Sequence, residues 1–106
     1  MPIDIEDLRK MCARGAIRWT EHMAKRMLGR GISRNQVENA IQFGEIIEQY
    51  PNDYPYPSCL IMGHDKDGIP IHVVCGLGTE AIWMVTAYYP DPMEWEEGLK
   101  TRRDKT

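Results

Sequence analysis

The sequence has few cysteines, one phenylalanine and no long apolar run. Its 106 residues include three cysteines, Cys12, Cys59 and Cys75, an odd number at wide spacing that indicates no disulfide framework. They form no Cys-x-x-Cys pair, which argues against a zinc ribbon and favours reduced thiols in a cytoplasmic protein. No apolar stretch approaches the roughly 18 residues of a membrane helix, and the acidic N-terminus does not resemble a signal peptide. No membrane association is therefore expected.

What is present is typical of one globular domain. The hydrophobic fraction is 42% and the charged fraction 27%, which are ordinary values for such a protein. A chain of this length can bury a core of its own, although a small one. We therefore expect a single domain spanning residues 1–106.

The net charge of −3 conceals a strong asymmetry along the chain. Residues 9–34 carry eight basic side chains against Glu21 alone, whereas residues 35–97 carry eleven acidic side chains against Lys66 alone. A basic block of this density is able to bind phosphate, although it also suits a solvated helical face. The acidic remainder argues against broad, non-specific nucleic-acid binding and is compatible with a basic partner.

Three helices are predicted in the first 44 residues. Asp4 is a candidate N-cap for a helix to about Arg14, and Thr20 for a second from Glu21 to about Leu28. Ser33-x-x-Gln36 matches a capping box and opens a third helix that ends near residue 44. The short alternating stretch 16–19 suggests an edge strand between the first two helices.

After residue 44 the hydrophobic period changes from helical to alternating. Strands are predicted over residues 45–50, 59–63, 69–75 and 81–89, with a hairpin turn at 65–68 (DKDG). Residues 51–57 (PNDYPYP) form a loop, and residues 93–106 are expected to be a short helix or a frayed tail. This order predicts an α+β fold in which N-terminal helices pack on an antiparallel sheet of about four strands.

The second helix carries the first candidate site. His22 and Arg26 are four residues apart and share a helical face, which Arg30 extends. With Ala24, Met27 and Leu28 as the apolar stripe, His22 and Arg26 point away from the core. They combine a proton donor or acceptor with a phosphate-binding guanidinium. Two unrelated surface residues would give the same pattern.

Two strands carry the other candidates. His72 lies on the strand face opposite Ile71 and Val73, either at a solvated surface, in a cleft or as a structural histidine. Thr86 and Tyr88 are predicted to share a face with Ile82 and Met84, where their hydroxyls are able to bind a phosphate or a base edge; ordinary strand residues fit as well.

No metal site or cofactor is predicted. The histidines and cysteines do not fall at the paired spacings of zinc sites. Asp65-x-Asp67-Gly68 resembles the start of a calcium loop, but the twelfth position is Gly76 rather than glutamate. The sequence also contains no P-loop and no dinucleotide-binding fingerprint.

Several stretches together resemble the bacterial family called domain of unknown function 4258. They are residues 19–27 (WTEHMAKRM), 30–33 (RGIS), 44–50 (GEIIEQY), 57–61 (PSCLI), 70–74 (PIHVV) and 85–91 (VTAYYPD). The resemblance covers roughly residues 16–95, with an N-terminal helix (1–15) before it and a basic tail (96–106) after it. It implies similarity to RelE/BrnT-like ribonuclease toxins, a RelE/barnase-like fold, and a zinc-finger or helix-turn-helix antitoxin as partner. The acidic net charge departs from these toxins, which are commonly basic.

The chemistry that this resemblance implies is metal-free RNA cleavage. His22 and His72 would serve as base and acid, in either order, and Arg26 would hold the phosphate. Tyr88 would complete the catalytic group, with Thr86, Arg30 and Arg18 as further substrate contacts. This mechanism requires the helix face and the sheet face to converge.

The competing interpretation is a non-catalytic module that binds a protein or a nucleic acid. In that case the histidines are structural, and Tyr50, Tyr54, Tyr56 and Trp83 supply an adhesive surface. An inactive toxin fold is a third interpretation. The sequence identifies neither the RNA target nor the partner.

Overall fold

A computed structural model, which describes residues 2–104, contains three helices and a five-stranded sheet. The helices are α1 (Ile5–Ala13), α2 (Glu21–Arg30) and α3 (Arg34–Phe43); the strands are β1 (Ile17–Arg18), β2 (Glu45–Tyr50), β3 (Ser58–His64), β4 (Pro70–Leu77) and β5 (Ile82–Tyr88). The predicted α+β class is confirmed. The sheet has five strands rather than about four, because the short edge strand suggested at residues 16–19 also pairs with it, as β1.

The helices begin at the predicted caps. Asp4 and Thr20 accept hydrogen bonds from backbone N–H groups of the first turns of α1 and α2. Ser33 and Gln36 form both halves of a capping box. α2 runs to Arg30 and ends at Gly31, whose φ of 69° is a left-handed conformation that glycine adopts without strain. The N-termini of the three helices are therefore fixed by local side-chain chemistry.

The strand order in the sheet is β1-β5-β4-β3-β2. Neighbours β2 to β5 are antiparallel, whereas β1 pairs with β5 in parallel, aligning Ile17 with Ile82 and Arg18 with Trp83. β1 pairs only with the beginning of β5. α2, which follows β1 directly, lies along the rest of that edge.

All three helices pack on one face of the sheet. Ile71, Val73 and Cys75 of β4 are fully buried against them, as the alternation of this strand predicted. The helices contribute buried residues to the same core, including Leu8, Met23, Met27, Val37 and Ile41. In residues 2–104 no helix has the length and apolar character needed to cross a membrane.

The other face of the sheet is covered by residues 91–103, which we call the C-terminal segment. The segment was predicted to be a helix or frayed tail; it instead forms turns and one β-bridge between Trp95 and Arg102. Trp95 is 2% exposed, so the segment is anchored. Lys100 pairs with Glu45 of β2, and Lys105 of the predicted basic tail lies outside the described residues.

A bulge in β5 changes which side chains face the helices. The register of β5 against β4 shifts at Val85. Ile82 and Met84 face the helical core, whereas Thr86 and Tyr88 lie on the opposite face, under the C-terminal segment. The prediction that these four residues share a face was wrong, because the extra residue reverses the alternation.

A basic helix edge, an aromatic groove and a buried histidine

α2 packs through a different stripe from the one predicted. Met23 and Met27 are buried, whereas Ala24 and Leu28 are exposed, Leu28 by 84%. The four apolar residues span roughly 140° of the helix at ~100° per residue, so packing decides which pair is buried. This rotation places His22 beside the buried stripe rather than opposite it.

His22, Arg26 and Arg30 consequently form a row on the side of α2, along the edge of β5. Arg30 donates to the carbonyl oxygen of Ala87 at 2.8 Å and to Oγ1 of Thr86 at 3.2 Å. His22 lies at the opposite end of the row from Arg30, near Met84 and Val85 of β5. All three side chains are exposed, as predicted for His22 and Arg26.

Arg26 is the unengaged arginine of this row. It makes no hydrogen bond or ion pair with residues 2–104, whereas Arg30 is held by two bonds. Spaced four residues from each neighbour, Arg26 lies between His22 and Arg30 on the same face. Its guanidinium is free to bind an anion from solvent.

Next to His22 lies an open groove of about 460 Å³, which we call the aromatic groove. It lies between the loop that joins β2 to β3 and the outer part of β5. Tyr56 and Trp83 are stacked in its wall, with ring centroids 5.8 Å apart and planes inclined by 27°. Residues that line it include Thr20, His22, Asp53, Tyr54, Tyr56 and Trp83.

The loop side of the groove is held in place by hydrogen bonds. Ser58, which is buried, donates from its hydroxyl to the carboxylate of Asp53. The backbone N–H of Leu77 donates to the carbonyl oxygen of Pro57 at 3.0 Å. Tyr54, at the tip, is 95% exposed. The groove thus has a fixed wall and one large aromatic ring projecting into solvent.

A second hollow of about 240 Å³ lies beyond the stacked pair, and we call it the Arg18 hollow. Tyr56 and Trp83 line both spaces. The turn before β5 supports the indole closely: a Cβ on Gly78 would lie 2.8 Å from Nε1 of Trp83. A side chain at Gly78 would therefore displace the ring. The hollow is lined by Arg18, Tyr56, Thr79, Glu80, Ala81 and Trp83.

His72 is fully buried under the C-terminal segment. Its Nε2 lies 2.8 Å from the carbonyl oxygen of Leu99 and its Nδ1 lies 3.3 Å from the hydroxyl of Tyr88. A carbonyl only accepts, so Nε2 carries the proton and Tyr88 donates to Nδ1. The Trp95 ring meets the imidazole edge-to-face at 4.5 Å. Both ring nitrogens of His72 are thus occupied.

Burial also sets the titration of this cluster. It lowers the pKa of His72, an effect that the hydrogen bond to Leu99 partly opposes. The same cause raises the pKa of Tyr88. Further out, burial and the hydrogen bond to the Glu48 carboxylate raise the pKa of Tyr50 to about 12.

Arg102 closes the cluster from the solvent side. Its guanidinium lies 4.7 Å from the centroid of the Trp95 ring, and its Nε is 3.0 Å from the Glu48 carboxylate. Glu48 also accepts a hydrogen bond from Tyr50. The C-terminal segment is therefore attached to the sheet by one buried aromatic and a set of charged contacts at its rim.

The structure does not bring His22 and His72 together. The aromatic groove reaches β4 at Gly76, four residues from His72, which is roughly 13 Å along a strand at ~3.3 Å per residue. His72 lies beneath the C-terminal segment, whereas His22 lies on the helix edge. The two imidazoles do not line a common cavity, so the convergence that the two-histidine mechanism requires is absent among residues 2–104.

Other predicted site residues are brought together in pairs. Tyr88 contacts His72, and Thr86 contacts Arg30. Arg18 lies in the hollow next to the groove of His22. In the described part of the chain, no three His, Cys, Asp or Glu side chains are grouped so as to hold a metal ion.

Two acidic residues, one in the aromatic groove and one in the Arg18 hollow, were not predicted from the sequence as site residues. Asp53 lies in the aromatic groove and Glu80 in the Arg18 hollow. Neither belongs to a motif. The signal that was available, aromatic residues in and after a proline-rich loop, identified Tyr54, Tyr56 and Trp83 but not the carboxylates beside them.

No curated protein matches the chain, and no solved structure matches it. A family model does match, over residues 19–89, and it carries the description domain of unknown function (DUF4258). This stretch contains α2, α3, β2 to β5 and the aromatic groove, and leaves out α1, β1 and the C-terminal segment. Since the match covers more than half of the chain, the protein belongs to the DUF4258 family.

Proposed function

We propose that the protein binds single-stranded RNA in the aromatic groove. The observation that carries the proposal is the stacked pair of Tyr56 and Trp83 beside the basic row of α2. Proteins that bind single strands combine aromatic platforms for the bases with cations for the backbone. Unstacked RNA bases commonly stack on Tyr and Trp rings. Both elements meet here at one edge of the sheet.

The row on α2 gives the bound RNA strand a path away from the groove. A base stacked in the groove places its phosphate near His22, and the next phosphates pass Arg26 toward Arg30. Arg26 is free, whereas Arg30 is already oriented by Thr86 and Ala87. The path keeps to the positive part of a molecule whose net charge is −3. Binding therefore depends on this local surface rather than on overall charge.

The similarity to RelE/BrnT-like toxins belongs to the same proposal. An RNA-directed toxin acts in the cytoplasm and is held inactive by a partner protein, here of the zinc-finger or helix-turn-helix type. The free thiols of Cys12, Cys59 and Cys75 are compatible with a reducing compartment. No cofactor is part of the proposal.

Binding is tested by fluorescence anisotropy with a labelled single-stranded oligouridine. Trp83→Ala removes one stacking surface, which is worth about 1–3 kcal/mol per base, so affinity should fall by roughly 5–150-fold. Arg26→Gln should weaken binding and reduce the salt dependence by about one phosphate contact. Phe43→Ala and Arg14→Gln, both at exposed positions outside the site, are the matched controls. Equal affinities for all five proteins would overturn the proposal.

RNA cleavage is the second candidate, and it is favoured by one observation: His22 and Asp53 line the same groove. A carboxylate and an imidazole are able to act as base and acid. The base removes the proton of the ribose 2′-OH, whose oxygen attacks phosphorus. The acid protonates the departing 5′-oxygen, leaving a 2′,3′-cyclic phosphate and a 5′-hydroxyl. Arg26 would stabilise the charge on the phosphate in the transition state.

This version of the mechanism does not use His72. Because both nitrogens of His72 are occupied and the ring is buried, its place in the fold suits a structural histidine. With a chelator present, His22→Ala should reduce cleavage of a mixed RNA pool by about 10²–10⁴-fold. His72→Gln should leave cleavage unchanged per folded molecule. Loss of cleavage in folded His72→Gln as well as in His22→Ala would restore the two-histidine mechanism, and no cleavage by the wild type would leave a binding protein.

A further inference from the structure

We infer that the Arg18 hollow is a subsite for a guanine base, an inference that rests on the proposed binding of single-stranded RNA. The hollow and the aromatic groove share the Tyr56–Trp83 pair as a common wall. A strand that crosses this wall places one base on each side of it. The hollow, at about 240 Å³, takes a single base.

Glu80 provides the contact that distinguishes one base from another. Its side chain is exposed on the turn before β5 and makes no hydrogen bond or ion pair with any residue from 2 to 104. An ionised carboxylate offers two acceptor oxygens and no donor. It therefore selects a base edge with two neighbouring donors.

Guanine is the one standard base with such an edge. Its N1–H and N2–H₂ groups are adjacent donors, and O6 beside them is an acceptor. Adenine, cytosine and uracil each present one donor next to an acceptor on that edge, so one carboxylate oxygen would face a lone pair. Arg18, which only donates, lines the same hollow and complements O6.

The aromatic wall orients the base for this contact. Trp83 and Tyr56 are inclined by only 27°, so a base stacked on the indole lies roughly parallel to both rings. The lack of a side chain at Gly78 allows the indole to lie close to the turn that carries Glu80. The carboxylate and the stacking surface thus belong to one short, connected part of the chain, residues 78–83.

The test compares labelled oligouridine with three versions that carry a single central guanosine, adenosine or cytidine. A bidentate contact to the correct base is worth about 1–3 kcal/mol of discrimination, so the guanosine version should bind roughly 5–150-fold tighter. Glu80→Gln replaces one acceptor oxygen by a donor and should bring the guanosine-to-uridine ratio to within about twofold. Glu97→Gln removes the same charge at an exposed position of the C-terminal segment and should keep the wild-type ratio.

The outcomes distinguish a failure of the guanine subsite from a failure of RNA binding. Binding that depends on Trp83 but is equal for the four oligonucleotides overturns the guanine subsite and leaves RNA binding standing. A guanosine preference that persists in Glu80→Gln overturns the assignment to this hollow. No binding to any oligonucleotide, with correctly folded protein, overturns the proposed function and the subsite with it.

Discussion

Replacing Trp95 by alanine should detach the C-terminal segment from the sheet. Trp95 is 2% exposed, meets His72 edge-to-face at 4.5 Å and lies under the Arg102 guanidinium. Truncation of a buried tryptophan costs about 3–5 kcal/mol, a large part of the roughly 5–15 kcal/mol that stabilises a domain. At about 1–3 kcal/mol per molar of urea, the unfolding midpoint should drop by roughly 1–5 M.

The measurement is urea unfolding followed by far-UV circular dichroism, with the His72 imidazole titrated by NMR. Because burial is the main reason for the low pKa of His72, that pKa should rise when Trp95 is removed. Met93→Ala, in the same segment but 82% exposed, should change the free energy of unfolding by less than about 0.5 kcal/mol. Trp95→Phe keeps part of the packing and should give an intermediate value if Trp95→Ala does not fold.

A result under about 1 kcal/mol for Trp95→Ala, with the pKa of His72 unchanged, would refute this reasoning. It would mean that another group buries His72 and that the segment contributes little to the stability of the sheet. The two readouts are independent, since one reports the whole fold and the other a single side chain.

Three further predictions concern single positions. The free energy of unfolding should fall as pH is lowered from about 6.5, since His72 has a lowered pKa when folded and the unfolded chain binds the proton first; His72→Gln should flatten this dependence in denaturant titrations at several pH values. Gly63→Ala should lower the melting temperature by an amount equivalent to about 1–3 kcal/mol, because the new Cβ would lie 2.6 Å from Cα of Ala40; an unchanged melting temperature would show that α3 moves freely. Gly78→Ala should weaken RNA binding in the anisotropy assay by displacing Trp83; an unaltered affinity would show that binding does not depend on the position of the indole.

Local signals predicted most of the secondary structure. The caps of α1, α2 and α3 each depend on a side chain and a backbone group only two or three residues away, so the sequence contains the whole interaction. The turn at 65–68 is equally local, since the Asp65 carboxylate accepts from the backbone N–H of Asp67 and Ile69. Such features do not need the rest of the fold.

Features that depend on distant partners were not predicted. The rotation of α2 is set by the sheet against which Met23 and Met27 pack, since the helix itself offers two overlapping apolar stripes. The bulge at Val85 has no glycine or other local mark and follows from pairing with β4. The C-terminal segment shows no periodicity because its one deeply buried side chain, Trp95, meets a partner on β4.

The candidate site was predicted in parts. Spacing alone indicated that His22 and Arg26 share an exposed face, and composition identified the aromatic residues of the loop. That these two sets meet at one edge depends on β1, which is only two residues long. His22 lies at this edge, whereas His72 lies under the C-terminal segment. Whether the two histidines share an active site therefore depends on the topology of the sheet, which residue types alone do not reveal.

The family match ends at residue 89, directly after the last strand of the sheet, whereas the segment that packs on the second face of the sheet lies beyond it. Leu60, Met62 and His72 on its second face are buried in this chain, and Trp95 and Leu99, beyond residue 89, contact His72 there. The folding unit is therefore longer than the family domain. Without residues 91–103 the buried imidazole of His72 would lose its contacts with Trp95 and Leu99, so the extension past residue 89 supplies a layer of this fold that the family match does not include.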